Sequence, residues 1–201
     1  VFTLIHDMRT GRGLIGASLA PRLAAIGRLF AIGLPAAMHI LLEVGVFALA
    51  TSLAGTLDAT SLAAHHVVLD VASVTFMIPL GLANAGAIRV GQAIGRGEPA
   101  AASRAGWTAL ALGAAFMATA GVLMVAFPRP LSALFTDDAG VIALASRLML
   151  LAAAFQLFDG LQGVATGALR GAGDTRTAMI CTLVSYWLVG LSLGWYLCFN
   201  E

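Results

Sequence analysis

Five long apolar stretches dominate the chain: Leu29–Ala54, Thr60–Ala87, Ala105–Phe127, Gly140–Leu169 and Thr177–Phe199. Each exceeds the roughly 20 residues that a helix needs to cross a bilayer. Lipid cannot hydrogen-bond the open backbone of a strand, so helix is the assignment that satisfies every peptide group. Composition agrees: 60% of residues are hydrophobic, 10% are charged, and mean hydropathy is +0.94. A soluble domain carries about 25% charged residues. The expected fold class is therefore an all-α polytopic membrane protein with five transmembrane helices. No basic, aromatic-laced surface for nucleic acid is present.

The linkers carry turn chemistry: Gly55-Thr-Leu-Asp58, Gly95-Arg-Gly-Glu-Pro99, Pro128-Arg-Pro130 and Gly171-Ala-Gly-Asp174. All 11 basic residues are arginine. With the first span starting in the cytoplasm, Arg9, Arg12, Arg22, Arg28, Arg89, Arg96, Arg104, Arg170 and Arg176 lie inside, and Arg129 and Arg147 lie at or near the outer face. That asymmetry follows the positive-inside rule. Residues 1–28 then read as a cytoplasmic linker, with Val1–Ile5 as the tail of an earlier helix, and residues 29–201 as a partial transmembrane lobe. Val at position 1 and an odd number of spans suggest a fragment.

Gly11-Arg-Gly-Leu-Ile-Gly16 matches a dinucleotide-binding pattern but lacks the strand–helix context that the pattern needs. Cys181 and Cys198 are 17 residues apart on one stretch, about 25 Å of helical rise, beyond disulfide reach. Gly163, Gly167 and Gly171 recur every fourth residue, a spacing that lets helices approach closely. Pro35 and Pro79 each remove a helical hydrogen bond, giving either a static kink or a hinge.

Two carboxylates stand out. Glu43 is the lone acid of the first stretch and Asp159 of the fourth. A carboxylate in mid-membrane costs roughly 2.5 kcal/mol or more, so its default reading is an ion path, a proton relay or a counter-charge. His39 lies four residues before Glu43, and His66 four before Asp70, so each pair shares a helix face. His65 adjoins His66. These groups could form a metal site, an ion or proton relay, or polar pairs beside a wet cavity; no compact metal motif such as H-E-x-x-H supports the first. Gln156, Asp159 and Gln162 form a polar stripe, best read as lining a cavity.

Leu62-Ala-Ala-His65, Arg89-Val-Gly-Gln-Ala-Ile-Gly95, Phe155-Gln-Leu-Phe-Asp159 and Ala168-Leu-Arg-Gly-Ala-Gly-Asp-Thr-Arg176 together resemble the multidrug and toxic compound extrusion (MATE) family, in its NorM-like branch. The likeness covers residues 29–199. It implies a twelve-helix, two-lobed transporter of which this chain resembles helices seven to eleven. The missing partners would be an N-terminal lobe and a final helix, and the setting a bacterial cytoplasmic (inner) membrane. It implies no enzyme and no cofactor, but export of small organic cations coupled to sodium or protons. Glu43 and Asp159 match the family's cation-site acids, which would hold sodium or a proton. His39, His65, His66, Asp70, Gln156 and Gln162 would be supporting polar residues. The chain departs from the family at Phe155, where a Tyr is frequent, at His66 in place of Gln, and at Asp70 in place of Asn. A lipid-linked sugar flippase of related fold would instead need a cationic cavity. A truncated, non-transporting membrane subunit is the remaining alternative.

Overall fold

A computed structural model describes residues 23–192 and Tyr196. They are helical throughout, apart from short turns. The helices are α1 (Leu23–Ala54), α2 (Ala59–Gly95), α3 (Pro99–Ala126), the short α4 (Pro128–Ala133), α5 (Ala139–Gly171) and α6 (Thr175–Thr182). A π-helical segment, Leu183–Gly190, continues α6 directly.

Four of these helices are long and apolar enough to cross a membrane. The fifth apolar stretch corresponds to α6 and its extension, with residues 193–195 and 197–199 lying outside the described residues. Several helices outrun their apolar windows. α2 continues eight residues past Ala87 and α3 starts six before Ala105, because hydropathy falls at Arg89 and Arg104 while the backbone stays helical until a turn stops it. Likewise, Leu23–Arg28 belong to α1, where a linker was expected. Pro128-Arg-Pro130, expected as a simple turn, opens α4. Residues 1–22, with the glycine motif at 11–16, and Cys198 lie outside the described residues.

The turns stop the helices by identifiable chemistry. After α2, Gly97 takes φ +73° and the Glu98 N–H donates to Ala93 O; after α5, Gly173 takes φ +84° and the Asp174 N–H donates to Leu169 O. Both are Schellman closures, which favour glycine because its left-handed backbone carries no Cβ penalty. Asp58, Asp138 and Asp174 then cap α2, α5 and α6 by accepting from the N–H groups of Ser61, Gly140 and Thr177.

α5 packs against both α2 and α3, and these three helices form the core of the described residues. Lipid supplies no hydrophobic drive for helix pairing, so close contact depends on small residues. A Cβ on Gly167 would strike Ala83 O, and one on Gly171 would strike Ala87 O. The two glycines thus sit directly on the α2 backbone, four residues apart against four residues apart. Farther along, Val67, Val71, Met124, Ala145 and Met149 fill the space between the three helices. Pro79 is fully buried within α2.

α1 and α6 form a second unit. They pack chiefly on each other and touch the core more sparingly. Only 6% of the most apolar stretch of α1 is buried, against 33% for α5. Two hydrogen bonds tie the pair: Thr175 Oγ1 donates to Ile32 O at 3.0 Å, and Trp187 Nε1 donates to Leu42 O at 3.0 Å. The indole fits because residue 45 is glycine; a Cβ there would approach Trp187 Cζ2 to 3.3 Å.

Candidate functional site

The two lone carboxylates lie where the α1–α6 pair meets the core. Asp159 projects from α5, half-buried, and its Oδ1 accepts a hydrogen bond from Tyr186 Oη at 2.9 Å. Glu43 projects from α1, also half-buried, within electrostatic range of both Asp159 and Tyr186. Gln162, one turn beyond Asp159, flanks the same hydroxyl. One turn past Glu43, the Phe47 ring meets Phe155 edge-on at 6.2 Å and Tyr186 at 6.3 Å. Three rings from three helices therefore wall one side of an acidic, apolar-lined site. Such edge-to-face pairs are favoured ring geometries.

Tyr186 is the residue that sequence reasoning missed. A tyrosine in an apolar stretch carries no pattern of its own. The available signal was slight: Tyr186 is the one tyrosine in the described part of α6 and its extension. Tyr186 lies in the π-helical segment, where the Leu191 N–H reaches back five residues to Tyr186 O. π-helical insertions are rare and recur at functional sites.

The supporting polar residues divide into three groups. His39 joins the site: its Nδ1 lies 4.0 Å from Glu43 Oε2, the outer limit of an ion pair. The residue is 7% exposed, and its Nε2 has no hydrogen-bond partner among the described residues. It lines a cavity of about 20 Å³ with Thr166, Arg170 and Thr175, room for about one water. His65 stands apart, 3.1 Å from Thr51 Oγ1. That hydroxyl gives its proton to Phe47 O, so the His65 ring is the donor.

His66 and Asp70 are exposed on α2 and make no side-chain hydrogen bond or ion pair with the carboxylate pair among the described residues. Gln156 is fully buried, and instead of lining a cavity it staples α5 to α2: its Nε2 donates to Ala72 O at 3.1 Å and to Thr75 Oγ1. Among the described residues no group of three or more His, Cys, Asp or Glu side chains gathers as a metal-holding set.

Residues 35–196 match the MatE family. The chain is 48% identical to a probable multidrug resistance protein NorM of Mesorhizobium japonicum, over 86% of this chain and 38% of that protein. It is 42% identical to a probable multidrug resistance protein NorM of Brucella suis, over 98% of this chain and 43% of the relative, and 42% identical to the multidrug resistance protein NorM of Burkholderia vietnamiensis, over 98% and 44%. The chain thus spans about two fifths of the length of the curated relatives it matches. With four bilayer-length apolar helices, paired acids on α1 and α5, and this match over most of its length, the chain belongs to the MatE family.

Proposed function

We propose that the chain forms the second lobe of an efflux transporter that exports small organic cations in exchange for sodium or protons. The observation that carries this reading is that Glu43 on α1 and Asp159 on α5 lie within electrostatic range of each other, with Asp159 accepting a hydrogen bond from Tyr186. Two like charges close together in an apolar surrounding resist being ionised at once. A bound cation or a proton relieves them, and a second cation can displace the first. If drug and ion favour opposite-facing states, that competition drives alternating access.

The relatives' names support multidrug export as the class, and the acidic character of the site favours cationic cargo. The arginine-bearing ends of α2, α3 and α5 would face the cytoplasm of a bacterial cell. In the full transporter, Glu43→Gln and Asp159→Asn keep side-chain shape and remove charge. Both variants are expected to reach wild-type levels in the membrane and lose ion-driven drug efflux, while Glu98→Gln, in an exposed turn, changes little. Amide variants that pump with unaltered ion dependence would refute the assignment.

A further inference from the structure

Along the surface where α2 and α3 pack side by side runs an open groove of about 500 Å³. Its floor is apolar, formed by Leu82, Ala85, Ala105 and Leu112, and two guanidinium groups, Arg89 and Arg104, stand in its wall. Neither arginine has a carboxylate within ion-pair distance among the described residues; Arg96, nearby in sequence, pairs with Glu98. Both are exposed. We propose that this groove binds an anionic phospholipid, with the phosphate on Arg89 and Arg104 and an acyl chain along the apolar floor.

Depth fits a lipid. Arg89 lies six residues before the end of α2, and Arg104 five after the start of α3, so both stand roughly 8–9 Å inside the helix ends. Leu82 and Leu112 lie 13 residues from the same ends, roughly 20 Å in. The charges are thus stacked above the apolar floor as a headgroup is above its chains. Trp107, 71% exposed, sits on the same turn of α3 as Arg104, at the level where amphipathic rings mark the membrane interface. Basic pockets between membrane helices are recognised lipid headgroup sites. A zwitterionic lipid offers the same phosphate with a compensating amine, so charge complementarity selects the anionic class.

The test is native mass spectrometry of the full transporter released from detergent with phosphatidylglycerol or phosphatidylcholine of identical chains. Each arginine near an anionic headgroup contributes about a fivefold preference, so the pair predicts roughly 25-fold retention of phosphatidylglycerol over phosphatidylcholine. Arg89→Gln with Arg104→Gln should abolish the preference, each single variant should reduce it about fivefold, and Arg129→Gln, outside the groove, should leave it whole. Should the double variant fail to fold, the single variants decide. Ala105→Trp keeps both arginines and fills the floor, and should also lose retention. Equal retention of the two lipids by the unaltered protein, a preference undiminished by either single substitution, or one untouched by the filled floor would overturn the proposal.

Discussion

The three-helix core and the α1–α6 pair are built by opposite means. In the core, glycine lies on backbone: Gly167 and Gly171 against Ala83 and Ala87, with Gln156 bonding into α2. The pair is held by long side chains reaching across, Trp187 to Leu42 and Thr175 to Ile32, and most of α1 is uncovered. Backbone contact fixes one geometry and tolerates no added atom; side-chain reach allows adjustment. The carboxylates straddle this boundary, Asp159 on the rigid side and Glu43 on the adjustable one. The proposed ion site would thus lie at the edge of a rigid body, where it could respond to what moves beside it without loosening the body itself.

The contrast breaks most visibly at the glycines. Gly167→Leu forces a side chain onto the Ala83 carbonyl, and overpacking of that kind costs about 3 kcal/mol or more. Little folded protein should survive in a detergent thermal-unfolding assay. Gly45→Ala, its counterpart in the pair, should be far milder because the Trp187 ring can shift; equal damage at both positions would erase the distinction.

Next in size are two polar residues of opposite character. Gln156→Ala removes a buried side chain and its bonds to Ala72 and Thr75, and should lower stability by about 2–3 kcal/mol with the ion dependence of efflux unchanged. Tyr186→Phe deletes one hydroxyl and should cost about 1 kcal/mol, yet alter ion dependence, because Asp159 loses its donor. Side-by-side melting curves and sodium or pH titrations of efflux read both effects.

The smallest effect lies at the helix caps. The Ser61 N–H holds the Asp58 carboxyl below its usual range, and the Thr177 hydroxyl does the same for Asp174. A carboxyl lowered on folding stabilises above its unfolded value of about 3.9, and that contribution is lost as pH falls through the folded one. Asp58→Ala and Asp174→Ala should therefore unfold slightly earlier than wild type from neutral pH down to about 5, and the gap should narrow below about 4. A gap that widens in acid would reverse the sign. Asp58 opens a core helix and Asp174 a helix of the pair, so a larger loss of ion-driven efflux for Asp174→Ala would sharpen the distinction between the units.

Much of this was legible in the chain. Apolar length fixes a helix whatever its neighbours, because lipid leaves the backbone no other partner. The fourfold glycine spacing foretold a close helix approach, though not that α2 would be the partner. Glu43 and Asp159 were visible because their desolvation cost stands out against an apolar background. What stayed hidden depends on which way a helix faces. Spacing shows that His66 and Asp70 share a side of α2, but not that the side points outward. It shows that Gln156 and Asp159 are neighbours, but not that one turns into the core and the other toward α6. Tyr186 was hidden for the same reason, and its π-helical setting shifts the facing of the residues around it away from a 3.6-residue count.

The glycine seam also assigns the two acids different freedoms. Turning α5 about its own axis would carry Gly167 and Gly171 off the α2 backbone and bring residues with a Cβ into their place, which the close approach opposes. Asp159 is thus anchored on the close-packed side, and Glu43, on the sparsely packed α1, is the acid with room to move. The seam works like a clamped jaw of a vice, and the sparsely packed α1 is the jaw that travels.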